Sequence, residues 1–148
     1  MNSIVENFEN IKSLISDSNV KIVAISKTFA YDQVKPLVEY GHIHFGENKV
    51  QEAQSKWLDI KEKYPNINLH MIGRLQSNKA KEAVNLFDYV HSLDSQKLAD
   101  LLAKHENAAN KKLKYFILRL IQKVIFMALR VKNNYQFIFQ NNDDLQVF

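Results

Sequence analysis

A chain of 148 residues is long enough for one domain with a real core, and 46% hydrophobic against 24% charged residues is the balance of a globular protein rather than a disordered one. It has no cysteine, which excludes a disulfide framework, a thiolate metal site and a catalytic thiol. The net charge of +4 is spread along the sequence rather than gathered into a basic run, so charge alone does not point to nucleic acid.

The first ten residues, MNSIVENFEN, carry neither a basic nor an apolar leader region, and no apolar run reaches the ~18 residues of a membrane span, so a cytoplasmic protein is expected. Ile4, Phe8, Ile11, Leu14 and Ile15 recur at helical spacing and predict an amphipathic helix over 3–16. Asp17-Ser18-Asn19 breaks it. Residues 20–26 are near-continuously apolar, interrupted only by Lys21, and predict a strand buried on both faces, as in a parallel sheet. Lys27 stands at its carboxyl end, on the face of Val23 and Ile25. An ammonium at the mouth of an apolar sheet or barrel is disfavoured in its charged form, which makes Lys27 a candidate Schiff-base nucleophile. The plainer alternative is a lysine reaching out from the strand end into water.

Asp32 is placed to cap a helix running to Tyr40, with Gly41 as its stop and Pro36 near its first turn. Residues 43–45 form a second strand, Gly46 a sharp turn, and Glu47 opens a helix to Lys63 that ends before Pro65. A third strand covers 68–72 and breaks at Gly73; a helix near 77–86 follows, with Ser77 as its cap. A fourth strand covers 87–91. Asp94 then caps a helix with Leu98, Leu101, Leu102 and Ala108–Ala109 on one face, and a fifth strand begins at 114–117.

One helix followed by four β-α units and a strand means a parallel sheet with covering helices, either an open doubly wound sheet or a (β/α) barrel. No G-x-G-x-x-G follows the first strand, which weighs against a dinucleotide-binding unit. Both architectures bind ligands at the carboxyl ends of their strands, here 26–28, 45–48, 72–76 and 91–94, where small, polar and basic residues collect.

Four stretches carry a resemblance: Ala24-Ile25-Ser26-Lys27-Thr28, Phe45-Gly46-Glu47-Asn48-Lys49-Val50-Gln51-Glu52, His70-Met71-Ile72-Gly73-Arg74-Leu75-Gln76-Ser77-Asn78-Lys79, and Val90-His91-Ser92-Leu93-Asp94-Ser95. In this order and spacing they resemble the pyridoxal phosphate homeostasis family, single-domain proteins similar to the barrel half of alanine racemase, over residues 1–117. The resemblance implies a partial (β/α) TIM-type barrel, here of about five parallel strands, that holds pyridoxal 5′-phosphate (PLP). It implies an internal aldimine on the lysine ending the first strand, the position of Lys27. It implies a non-enzymatic carrier in intracellular PLP homeostasis, with PLP-dependent apo-enzymes as recipients. A racemase-like enzyme domain is the alternative, although racemase chemistry wants a second base on the far face of the ring; a non-functional fragment is another.

Asn48, just after the second strand, is a candidate hydrogen-bond partner for the ring's polar edge, or else an ordinary polar residue of a first helical turn. His70 on the third strand is a candidate pocket-lining residue, or else a satisfied core histidine. His42 and His44 alternate on one strand face, but no carboxylate or cysteine completes a metal-ligand spacing with them and His70, so no metal is expected.

The resemblance stops at 117. The family's later strands carry a Ser-Met-Gly-Met-Ser-type loop and an Arg-Ile-Gly-type segment that form the phosphate cup, and residues 118–148 contain no glycine with which to build one. Ile121, Val124, Ile125, Ala128 and Leu129 share a helical face there, Arg119, Lys123, Arg130 and Lys132 lie elsewhere, and 135–139 is a short aromatic β-prone run. Residues 118–148 are therefore expected to be a helical, then irregular tail unrelated to the family, as a change of reading frame near codon 118 would produce. Reading the coding DNA in its other frames checks this: one of them should encode the missing glycine-rich segments, and their absence from all frames contradicts it.

Overall fold

Among the described residues, six short strands lie side by side in a single parallel sheet, in the order in which the chain makes them. They are β1 (Ala24–Ile25), β2 (His44–Glu47), β3 (Asn68–Met71), β4 (Tyr89–Val90), β5 (Lys114–Ile117) and β6 (Phe137–Phe139). The computed structural model describes residues 3–15, 19–117 and 137–139. Helix α1 (Ser3–Ser13) precedes the sheet; α2 (Tyr31–Glu39), α3 (Val50–Lys63), α4 (Ala80–Leu86) and α5 (Gln96–Ala109) each join two neighbouring strands. A doubly wound sheet reverses its strand order partway, whereas a barrel does not. The unreversed order resolves the choice that the sequence left open, in favour of part of a (β/α) barrel.

The sheet has two chemically different faces because alternate residues point opposite ways. Phe45, Leu69, Met71, Val90 and Tyr115 are buried with the helices, around Trp57 of α3, whose ring lies 4.8 Å from that of Phe45. Burying each such side chain contributes roughly 1.5–3 kcal/mol. The opposite face, which a barrel turns inward, carries Ile25, Gly46, His70 and Tyr89 in one cross-strand row. A Cβ on Gly46 would meet Ile25 Cδ1 at 2.9 Å, so bare backbone there lets the isoleucine lie across β2.

Three imidazoles cross this inner face diagonally. His44 Nδ1 is 3.0 Å from His70 Nε2, and His70 Nδ1 is 2.9 Å from His91 Nε2. His70 stacks on Tyr89 at 4.1 Å, and His91 on Phe116 at 4.1 Å. Burial pushes His70 down to about 2, helped by repulsion from His91, His44, Lys21 and His42, and burial pushes His91 down to about 4. His42 is not in this chain: its ring packs on Phe8 and Phe45 and its Nε2 donates to the His44 carbonyl at 2.8 Å.

Several boundaries differ from expectation, each for a local reason. Helix α2 starts before Asp32, because the Gln33 side chain accepts the Ala30 N–H at 3.1 Å and closes the first turn; Pro36 consequently falls inside the helix. Gly41 does stop it: at φ +98 its N–H reaches Val38 O and the next N–H reaches Leu37 O. Glu47 does not open α3 but ends β2, completely buried. Residues 77–79 form a 3-10 turn ahead of α4. Ser95, not Asp94, caps α5, accepting from the Leu98 N–H at 3.3 Å. The aromatic run near 137 adds a sixth strand, parallel to β5. The helical segment expected around residues 121–129 lies outside the described residues.

Gly73 ends β3 where a Cβ would stand 2.3 Å from the Asn48 carbonyl oxygen. Gly73→Ala should therefore cost about 1–3 kcal/mol by forcing two strand ends apart, read as a lowered urea midpoint; an unchanged midpoint would contradict this close approach. A second expectation concerns acid. His70 and His91 stay neutral in the folded chain but protonate once unfolded, so below about 6.5 the unfolded state binds more protons. Stability is thus full above that pH and falls as the pH drops through about 4. His91→Asn should lose less stability than the parent between about pH 7 and about pH 4.5, and equal losses would exclude the histidine contribution.

Candidate functional site

The carboxyl ends of β1 to β4 meet on one rim of the sheet. Continuing the register of Ile25 with Gly46, Gly46 with His70 and His70 with Tyr89 by two residues brings Lys27, Asn48, Ile72 and His91 to this rim. Two of the three candidate residues, Lys27 and Asn48, thus share the rim, and His70 lies one row deeper.

Lys27 follows a tightly held residue. The Ser26 N–H donates to Gly46 O at 2.9 Å, and its hydroxyl donates to Glu47 Oε1 at 2.7 Å. Its carbonyl accepts from Lys56 Nζ at 2.6 Å and from the Phe29 N–H at 3.2 Å. The same Glu47 oxygen accepts from Lys56 Nζ at 2.7 Å and from Trp57 Nε1 at 2.8 Å. The turn then passes through Thr28 at φ +67, a left-handed conformation unusual for a β-branched residue.

The apolar surroundings expected for Lys27 are not found: the residue is exposed, as are Thr28 and Phe29 beside it. The reason is topological. Among the described residues, strand β1 lies at the edge of the sheet, with β2 as its neighbour there.

Asn48 is half-buried, and its Oδ1 is enclosed without a hydrogen-bond partner; Ser92 Oγ, after β4, is in the same condition. Acceptors left like this at strand ends are suited to a ligand's donors. His70 is buried, with both ring nitrogens engaged by His44 and His91, so it offers a stacked wall rather than an open hydrogen-bonding atom. Beyond it, Arg74 and Asp94 face each other at 3.7 Å across a cleft that Gln76, Ser77 and Ser95 also line.

Sequence reasoning missed Glu47, Lys56 and Trp57 as a unit. The available signal was a carboxylate closing an apolar strand, since such a group needs donors wherever it is buried. The spacing of Lys56 and Trp57 along α3 gave no hint that both turn toward it.

The alanine racemase N-terminal domain model matches residues 1–118. The pyridoxal phosphate homeostasis protein of Buchnera aphidicola subsp. Schizaphis graminum is 43% identical over 86 residues, 58% of this chain and 37% of that protein. Its counterpart from Vibrio alginolyticus is 35% identical over 128 residues, 79% of this chain and 55% of that protein. The chain spans about half the length of such relatives or less. Among solved structures, PipY of Synechococcus elongatus PCC7942 with PLP bound matches at a TM-score of 0.81 and 27% identity, covering 97% of this chain and 73% of PipY. The sheet order, the rim and the match over residues 1–118 agree, and the chain belongs to the alanine racemase N-terminal domain family, with pyridoxal phosphate homeostasis proteins as its relatives there.

Proposed function

We propose that this chain binds pyridoxal 5′-phosphate through the ε-amine of Lys27, as a non-catalytic carrier in cytoplasmic PLP homeostasis. The observation that carries the reading is the placement of Lys27: it is a reachable primary amine on the rim, directly after a residue pinned at its N–H, hydroxyl and carbonyl. When bound, PLP supplies an aldehyde that condenses reversibly with a primary amine. The unpartnered Asn48 Oδ1 fits a donor on the ring's polar edge, and His70 with Tyr89 supports the inner wall behind it. An exposed lysine pairs this way without the help of burial, so its attachment is readily reversed by water, which suits a carrier that hands its cargo to apo-enzymes.

The phosphate end of the ligand is served less well. Gly41 ends α2, Gly46 lies within β2 and Gly73 packs on Asn48, so the chain's three glycines are already committed. A dianion normally gains several charge-assisted hydrogen bonds from backbone N–H groups and cations. The carrier reading is favoured over a racemase by the homeostasis name of the relatives.

Borohydride reduction of the protein mixed with PLP, followed by peptide mass analysis, should find the pyridoxyl group on Lys27. Lys27→Ala should lose both this adduct and the visible absorbance band, with no D-alanine formed from L-alanine by either protein. Labelling spread over surface lysines and unaffected by Lys27→Ala would overturn the assignment.

A further inference from the structure

The buried cluster behind Lys27 has a geometry that general stability does not require. Glu47 is completely buried, and the Lys56 side chain is only 10% exposed, yet their ion pair is not closed on itself. Lys56 Nζ spends a second hydrogen bond, at 2.6 Å, on the Ser26 carbonyl, the oxygen of the peptide that joins Ser26 to Lys27. Glu47 Oε1 takes the Ser26 hydroxyl at 2.7 Å. Strand β1 has only two residues in register with β2, too short a ladder to fix the orientation of the residues beyond its carboxyl end. The ion pair therefore holds the plane of the peptide entering Lys27, and with it the direction in which that side chain leaves the rim. It also holds the Thr28 turn, because the same Ser26 carbonyl closes that turn by accepting the Phe29 N–H.

We propose that Glu47 and Lys56 are positioning residues: a buried ion pair on the helix-covered side of the sheet that sets the trajectory of Lys27 by gripping Ser26. This rests on the reading of Lys27 as the PLP-binding amine. Neither residue touches the ligand. Their effect is to hold one backbone conformation, so that the amine presents itself at one angle to an aldehyde lying on the rim.

Removing one partner alone would strand a buried charge and threaten the fold. The decisive variant is thus the double replacement Glu47→Gln with Lys56→Met, which removes both charges together. Two readouts are compared with the parent protein: hydrogen exchange at the Phe29 amide, without any ligand, and the concentration of PLP needed for half-maximal borohydride-trapped adduct on Lys27. The expected result is a folded protein with Phe29 exchange faster by roughly tenfold or more and a half-maximal PLP concentration raised by roughly tenfold or more. Ser26→Ala, which removes only the hydroxyl, should move both in the same direction by a smaller factor, and it decides the matter if the double variant does not fold. Parent-like adduct formation in a folded variant overturns the proposal, whether or not exchange has changed. If the parent itself forms no Lys27 adduct, the PLP reading fails, and the exchange rates still report whether the ion pair holds the turn.

Discussion

A single carboxylate oxygen, Glu47 Oε1, ties together three elements. It accepts from Ser26 after β1, from Lys56 and from Trp57 on α3, and it belongs to β2. Buried charge is costly unless its lone pairs are filled, and breaking such a pair from one side typically costs about 3–5 kcal/mol. The donors that this oxygen takes join α3 to the end of β2 and hold the end of β1. The packing of Trp57 on Phe45 and Tyr31 follows from the same placement, since its indole N–H must point at Glu47.

The two faces of the sheet solve opposite problems. The helix-covered face is an apolar core with a charge cluster at its edge in which Glu47 Oε1 takes three donors while Glu47 Oε2 is buried without one. The inner face carries three histidines linked across strands β2, β3 and β4, with both nitrogens of His70 engaged and one each of His44 and His91. Burial, the neighbouring imidazoles and the nearby Lys21 favour the neutral form of His70, and burial, Lys21 and Lys114 that of His44, there against a weaker opposing pull from Asp88. Stacking on Tyr89 and Phe116 fills the remaining space. The result is a wall of stacked rings one row below the rim that carries Lys27 and Asn48.

Much of this was legible in the residues. The alternation of apolar runs with periodic helical segments identified five strands and five helices, because a buried strand is nearly all apolar and a covering helix shows one apolar stripe; the first strand, expected over 20–26 and buried on both faces, is only Ala24–Ile25 and partly exposed, because it lies at the sheet's edge. The glycine stop at Gly41 was legible because a positive φ selects glycine. Helix starts were less so: Asp32 and Asp94 both look like caps, but Gln33 reaching back to Ala30 and the Ser95 hydroxyl took those roles, and the competition among neighbouring polar side chains is settled by geometry alone. His70 shows the same limit. Its residue type and strand position suit either a pocket wall or a satisfied core group, and its two nitrogens are engaged only because His44 and His91 arrive from other strands.

The amino-acid order determined the fold class, the family and the identity of the rim residues, since these depend on local periodicity and on motifs a few residues long. Only the tertiary structure decided the unreversed strand order, the exposure of Lys27 and the convergence of Ser26, Glu47, Lys56 and Trp57 on one oxygen. Those features depend on which strand occupies the sheet's edge and on contacts between residues up to 30 positions apart along the chain, from Ser26 to Lys56, and no local pattern encodes a distance in space.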